Sequence, residues 1–154
     1  MLILLVEDNP AEARLTTEAL GEVGVSHELF LVDDGAAATA YLRREEKFRD
    51  ARRPDLIFLD LNLPGKDGRQ VLREVKEDPS LASIPVIVIT NSEAPEDIEQ
   101  VYRLKANCYL VKPPGLDEFF TMIRRTVCFW WKAARLPGDP TGGDISRLHN
   151  EFSI

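Results

Sequence analysis

Four short runs of consecutive apolar residues constrain the fold more than any other feature of the chain. They occupy residues 2–6, 56–59, 84–89 and 108–111. Uninterrupted apolar runs of this length are typical of strands buried on both faces of a parallel sheet. A fifth strand is predicted at residues 27–32, and helical patterns lie between the strands. This alternation predicts an α/β domain with a doubly wound parallel sheet.

Polar side chains follow the four apolar runs, at the point where each predicted strand ends. Glu7 and Asp8 follow the first run, Asp60 the second, Thr90 the third and Lys112 the fourth. Ligands of open parallel sheets bind outside the carboxyl ends of the strands. We therefore expect these side chains to form one site.

The chemistry of this predicted site is that of phosphoryl transfer. Three carboxylates held within a few ångströms repel one another unless a divalent cation neutralises them, and a set of oxygen ligands favours Mg²⁺. The hydroxyl of Thr90 and the ammonium of Lys112 could then neutralise a transferred phosphoryl group. In this interpretation Asp60 is the nucleophile.

The order and spacing of six residues resemble the receiver domain of bacterial two-component response regulators. They are Glu7, Asp8, Asp60, Thr90, Tyr109 and Lys112. The resemblance covers residues 1–128 and implies a flavodoxin-like sheet of order 2-1-3-4-5. Residues 129–154 are expected to extend the last helix and form a tail, too short for an output domain. The implied function is that of a phosphoacceptor signalling protein, not an enzyme, phosphorylated on Asp60 by a histidine kinase.

The resemblance also implies how the metal is held. Asp8, Asp60 and the backbone carbonyl of Asn62 would bind Mg²⁺, and Glu7 would act through a bound water.

Glu12 is expected to have a structural role outside the metal site. With Asn9 as the N-cap residue, it is predicted to be the acid of a capping box at the start of the first helix.

The resemblance implies a switch as well. Thr90 and Lys112 would bind the phosphoryl oxygens, and Tyr109 would rotate and alter the surface of the last two helices and the last strand. Tyr109 is equally well explained as an ordinary strand aromatic in a half-exposed pocket. The bond between Lys112 and Pro113 resembles a cis peptide bond of the family.

The aromatic end of the last helix carries two further predictions. The sequence FWW followed by Leu-Pro resembles the response regulators that accompany bacterial phytochromes, which implies a light-sensing histidine kinase as partner. Three consecutive residues span about 200° of a helix, so Phe129, Trp130 and Trp131 cannot all face the sheet. We expect a homodimer anchored by Trp130 or Trp131 and formed by the last two helices and the last strand. Alternatively, the tail folds back over its own tryptophans.

Composition excludes several other classes. A net charge of −7 disfavours nucleic-acid binding, although a local basic patch could still contact an acidic partner. No apolar run comes near the length of about 18 residues that a membrane-spanning helix needs, and no basic leader precedes the first strand. We therefore expect a cytoplasmic protein. A helix is predicted from residue 36 to about residue 47, and the charged segment 43–53 is interpreted as its solvated end and the loop that follows.

Two other functions remain open at this point. Haloacid-dehalogenase-type phosphohydrolases also attack with an aspartate at the end of a strand, but they place a second acid two residues later, where this chain has Asn62. Asn62 cannot supply that acid-base step. A receiver used only for binding would be favoured by loss of Asp60 or Lys112, and both are present.

Overall fold

Five parallel strands form a single sheet in the computed structural model, which describes residues 1–138. The strands are β1 (Leu2–Val6), β2 (Glu28–Val32), β3 (Leu56–Leu59), β4 (Val86–Thr90) and β5 (Cys108–Val111). Their spatial order is β2-β1-β3-β4-β5, and every neighbouring pair is parallel. The predicted flavodoxin-like order is therefore confirmed.

Five α-helices connect and follow the strands. They are α1 (Pro10–Glu22), α2 (Gly35–Leu42), α3 (Gly68–Glu77), α4 (Pro95–Arg103) and α5 (Leu116–Cys128), with a 3₁₀ turn at Glu46–Phe48 and a π-helical turn at Phe129–Ala133. None of these helices is long and apolar enough to span a membrane.

The helices cover both faces of the sheet, which is why the central strands are apolar at every position. β1, β3 and β4 are buried along their whole length. In β1, Ile3 and Leu5 pack with α1 and α5 on one face, whereas Leu4 and Val6 pack with α2, α3 and α4 on the other. Two hydrophobic cores result, one on each side of the sheet.

Asparagine or aspartate side chains fix the starts of three helices close to strand ends. Asn9 accepts hydrogen bonds from the backbone N–H groups at the start of α1, Asp34 does so for α2, and Asp67 for α3. N-cap residues of this kind satisfy donors that have no partner inside the helix. The predicted capping box is wrong, however, because the N–H of Asn9 donates to Glu7 Oε1 at 3.1 Å and not to Glu12.

The segment after α2 differs in detail from the prediction. The helix expected over residues 36–47 ends at Leu42, and Arg44 adopts a left-handed backbone conformation with φ of 56°. Most side chains of residues 43–53 are exposed, as expected, but Phe48 packs against Tyr41 with ring centroids 5.6 Å apart. That aromatic contact anchors the otherwise charged loop to α2.

The chain after α5 places its three aromatic residues in different surroundings. Trp130 and Trp131 pack, partly buried, against the core between α1 and α5, whereas the side chain of Phe129 is 54% exposed. Three consecutive aromatics thus do not share one face. The predicted tail begins inside the described part, and its residues 139–154 lie outside it.

Candidate functional site

The carboxyl ends of the central strands bring the predicted site residues to one edge of the sheet. Glu7 follows β1 and Asp60 follows β3, and their side chains are only 4% and 6% exposed. Backbone hydrogen bonds hold both positions, because Glu7 N–H donates to Val32 and Asp60 N–H donates to Val6. The two carboxylates are therefore placed by the sheet itself.

Lys112 joins these carboxylates from the end of β5. Its ammonium donates to Asp60 Oδ2 at 2.9 Å, to Glu7 Oε2 at 2.8 Å and to Glu12 Oε2 at 2.6 Å. Its backbone N–H donates to the carbonyl of Thr90, which ties the end of β5 to the end of β4. The lysine thus contacts three acids that lie 52 to 105 positions away from it in the sequence.

Burial and charge act in opposite directions on these groups. Burial lowers the pKa of Lys112, but the hydrogen bonds to Glu12, Glu7 and Asp60 outweigh it, so its pKa lies above the ordinary value. Burial raises the pKa of Glu7 to about 7 despite the adjacent ammonium. The hydrogen bond from Lys112 therefore does not fully offset the cost of burying the Glu7 carboxylate in its charged form.

Three carboxylates of the site have the geometry of a divalent-cation site. Oxygens of Glu7, Asp8 and Asp60 all lie within 4.8 Å of one another, and Asp8 is exposed to solvent. Hard cations such as Mg²⁺ prefer such all-oxygen ligand sets. Asn62 contacts the same group through its backbone N–H, which donates to Asp60 Oδ1 at 3.0 Å.

Thr90 contributes a polar atom that the protein itself does not satisfy. Its side chain is fully buried at the end of β4, the strand next to β3. Among residues 1–138, its hydroxyl oxygen is the one buried side-chain polar atom without a hydrogen-bond partner. Such a group costs about 1–3 kcal/mol and calls for an explanation in a native structure.

Tyr109 lies on β5 and is linked to the loop between β4 and α4. Its hydroxyl donates to the carbonyl of Ser92 at 2.9 Å, and burial raises its pKa. The Ser92 hydroxyl donates to Asp97, which pairs with Arg69 of α3 at 2.8 Å. The loop is thereby connected to three elements around the site.

Two residues of the site were missed by sequence reasoning. Glu12 points to Lys112 instead of capping its helix, and its other oxygen accepts from Asn91 Nδ2 at 3.3 Å. Gly68 begins α3 against the backbone of the acceptor loop, where a Cβ atom would overlap the carbonyl of Asp60 and lie 2.6 Å from Leu61 Cα. The sequence Asp67-Gly68 is typical of a helix start, but it does not indicate the close approach of this glycine to Asp60.

One peptide bond near the site differs in conformation from the one predicted from the sequence. No peptide bond in residues 1–138 is cis, so Lys112–Pro113 is trans and the prediction of a cis bond is wrong. Trans is the form that most X–Pro bonds adopt in folded proteins.

The family model for the response regulator receiver domain matches residues 3–124, which include β2 to β5, all of β1 except Leu2, and all of the site residues described above. The chain belongs to the response regulator receiver domain family. The predicted family is thus confirmed, and the phosphohydrolase alternative loses its support.

Several receiver proteins are similar over most of this chain. Response regulator Rcp1 of Synechocystis is 45% identical over 136 residues, covering 88% of this chain and 92% of Rcp1. The structure of its Mn²⁺-bound form covers 88% of this chain and 98% of that chain, with a TM-score of 0.84. The phosphorylated cyanobacterial phytochrome response regulator RcpA is 49% identical, with a TM-score of 0.85 and coverage of 88% and 97%.

A more distant receiver supplies a magnesium-containing example. The receiver domain of a sensor histidine kinase from Pseudomonas aeruginosa, with a magnesium ion in its active site cleft, is 31% identical. It has a TM-score of 0.64 and covers 80% of this chain and 94% of that chain.

Proposed function

We propose that this receiver accepts a phosphoryl group on Asp60 from a histidine kinase. The observation that carries the proposal is the buried hydroxyl of Thr90, which has no partner in the described part of the chain and ends the strand next to Asp60. A phosphoryl oxygen on Asp60 would supply the missing acceptor. Lys112 contacts Asp60 directly and would neutralise a second phosphoryl oxygen.

In the proposed reaction an oxygen of Asp60 attacks the phosphorus of the phosphohistidine. The new O–P bond forms while the N–P bond breaks, and the imidazole of the kinase leaves with the electron pair. Lys112 holds the Asp60 carboxylate in place, and the N–H of Asn62 fixes its other oxygen. Catalysis of this kind is mostly positioning and charge neutralisation.

A divalent cation, which we take to be Mg²⁺, completes the proposed site. Glu7, Asp8 and Asp60 would hold it with the backbone carbonyl of Asn62, and Glu7 would act through a water. The ion would neutralise the oxygens of the transferred group. The Mn²⁺ bound by Rcp1 and the magnesium bound by the P. aeruginosa receiver support this part of the proposal.

The experiment that tests the acceptor is an intact-mass measurement after incubation with acetyl phosphate and Mg²⁺. The wild type should gain one phosphoryl group and Asp60→Asn should gain none. Asp67→Asn is a matched control, because Asp67 caps α3 nearby and contacts Arg69 rather than Asp60, Thr90 or Lys112. An equal adduct on Asp60→Asn would reject the assignment. No adduct with any donor or kinase would favour a receiver used only for binding.

We further propose that the kinase is a phytochrome and that transfer takes place in the cytoplasm, where a kinase obtains its ATP. The proposal rests on the similarity to RcpA, which is a phytochrome response regulator. Transfer from a purified phytochrome kinase should be much faster than transfer from a kinase with another sensor. Equal rates from both would refute this choice of partner.

The proposed output is a change in the surface formed by α4, β5 and α5. Thr90 would move towards the phosphoryl group, and Tyr109 would then exchange its hydrogen bond to Ser92 for a more buried position. The proposed switch thus starts from the link between Tyr109 and the loop before α4. Tyr109→Phe should therefore leave phosphorylation intact but change the response of amide exchange in α4 to phosphorylation. An unchanged response would leave Tyr109 without a role in switching.

We also propose a homodimer through this surface, anchored by Trp130 or Trp131. Its support is the cluster of large aromatics after α5, in which Phe129 remains 54% exposed, and the equally exposed Leu116 at the start of α5. Truncating such an anchor typically costs about 2 kcal/mol or more. Light scattering at micromolar concentration should give a dimer for the wild type.

Because Trp130 and Trp131 also pack on their own core, the dimer test needs a variant that spares the fold. Phe129→Ser changes an exposed side chain next to them and should weaken the dimer. A wild type that is monomeric both with and without phosphorylation would exclude the dimer. A dimer that survives replacement of both tryptophans by alanine would place the interface elsewhere.

A further inference from the structure

The ammonium of Lys112 is fully occupied by protein acceptors. A lysine ammonium has three N–H donors, and here each has one carboxylate partner, at 2.8 Å in Glu7, 2.6 Å in Glu12 and 2.9 Å in Asp60. A phosphoryl oxygen can therefore bind Lys112 only if one of these hydrogen bonds is broken.

Of the three hydrogen bonds that Lys112 donates, the one to Glu12 can break most easily. Glu7 and Asp60 are almost completely buried, whereas the side chain of Glu12 is 30% exposed. Glu12 and Lys112 also line a cavity of about 340 Å³ together with Asn91, so the broken contact would open towards free space. The exposed carboxylate can regain water at little cost, and the buried ones cannot.

Two further interactions stabilise the carboxylate of Glu12 in this position. Its other carboxylate oxygen accepts from Asn91 after β4, which links α1 to the loop that carries Thr90. The carboxylate also lies in the first turn of α1, where the helix dipole favours negative charge. Glu12 therefore holds Lys112 from a stable place outside the three-carboxylate metal cluster.

We propose that Glu12 is a positioning residue that restrains Lys112 and slows phosphorylation of Asp60. The hydrogen bond from Lys112 to Glu12 must break before that N–H of the lysine can bind the phosphoryl group. This inference rests on the proposed function. In the reaction with acetyl phosphate, Asp60 forms the O–P bond while the bond from phosphorus to the acetate oxygen breaks, and acetate leaves. Meanwhile one N–H of Lys112 exchanges Glu12 for a phosphoryl oxygen, without transfer of a proton.

The test compares the rate of adduct formation on the wild type, Glu12→Gln and Glu12→Ala with acetyl phosphate and Mg²⁺. A neutral amide accepts a weaker hydrogen bond from an ammonium than a carboxylate does, so Glu12→Gln should react about threefold to tenfold faster than the wild type. Glu12→Ala should react at least as fast as Glu12→Gln. Glu18→Gln is the matched control, since Glu18 carries the same charge on α1 but pairs with exposed Arg14.

A second measurement tests whether Glu12 acts through Lys112 or through the bound metal ion. Glu12→Gln should bind Mn²⁺, followed by electron paramagnetic resonance, within about twofold of the wild type, because Glu12 is outside the metal cluster. In a Lys112→Ala background the substitution at Glu12 should no longer accelerate the reaction. That loss is expected only if Glu12 acts through the lysine.

Four results would overturn the inference while leaving the proposed function intact. The first two are an unchanged or slower rate in Glu12→Gln and an equal acceleration by Glu18→Gln. The others are an acceleration that persists without Lys112 and an acceleration accompanied by a large gain in metal affinity. A wild type that takes no phosphoryl group at all would instead overturn the proposed function, and with it this inference.

Discussion

Glu7 should make the stability of the metal-free protein depend on pH. Burial raises its pKa from an ordinary value of 4.5 to about 7, so between these values the folded protein binds more protons than the unfolded chain. The free energy of unfolding therefore falls as the pH rises through this window and levels off above it. Worked from the two pKa values, the fall between about pH 5 and about pH 8 is about 2–3 kcal/mol.

The perturbation that isolates this effect is Glu7→Gln, which keeps the shape of the side chain and an acceptor for Lys112 but cannot ionise. The free energies of unfolding of both proteins are measured by urea unfolding in the presence of EDTA. The value for the variant minus that for the wild type should rise by about 2–3 kcal/mol between about pH 5 and about pH 8. Groups common to both proteins cancel in this difference. A difference that stays constant over the range would show that Glu7 is ionised at all these pH values and would refute the reasoning.

Two substitutions with matched controls test the structure around the site. Gly68→Ala should lower the free energy of unfolding by about 1–3 kcal/mol, because its methyl group would overlap the backbone after β3. Gly21→Ala, where a Cβ atom would meet no atom within 4 Å, should not destabilise the protein; equal losses in urea unfolding would contradict the overlap. Arg69→Ala should cost about 1–2 kcal/mol, because its ion pair with Asp97 is half-buried. Arg103→Ala, which breaks an exposed pair, should cost at most about 0.5 kcal/mol, and a similar loss in both variants would remove the distinction.

Most of the fold could be predicted because the central strands carry a simple signal. β1 and β3, which are buried on both faces, and the half-buried edge strand β5 have the predicted bounds, since each is an unbroken apolar run that polar residues end sharply. The order of the strands came from the family resemblance, because hydrophobic periodicity contains no information about which strands are neighbours.

Errors arose where a local pattern competed with a tertiary contact. Glu12 follows Asn9 at capping-box spacing, but Glu7 takes the N–H of Asn9 and leaves the carboxylate of Glu12 for Lys112. No spacing rule predicts a contact between residues 100 positions apart. The length of α2 was overestimated for a similar reason, because packing of Phe48 on Tyr41 favours a turn over further helix.

The features that make the metal-free site unfavourable also explain how it could respond to a ligand. The site has four carboxylates and one ammonium, which contacts three of them. Thr90 has a buried hydroxyl with no acceptor in the part of the chain that the structure describes. A divalent cation would relieve the excess negative charge, and a phosphoryl group on Asp60 would satisfy the hydroxyl. A ligand can shift a conformational equilibrium only by its difference in binding free energy between the two states. Groups left unsatisfied in the unmodified protein provide that difference, so a better satisfied site would be more stable and would switch less.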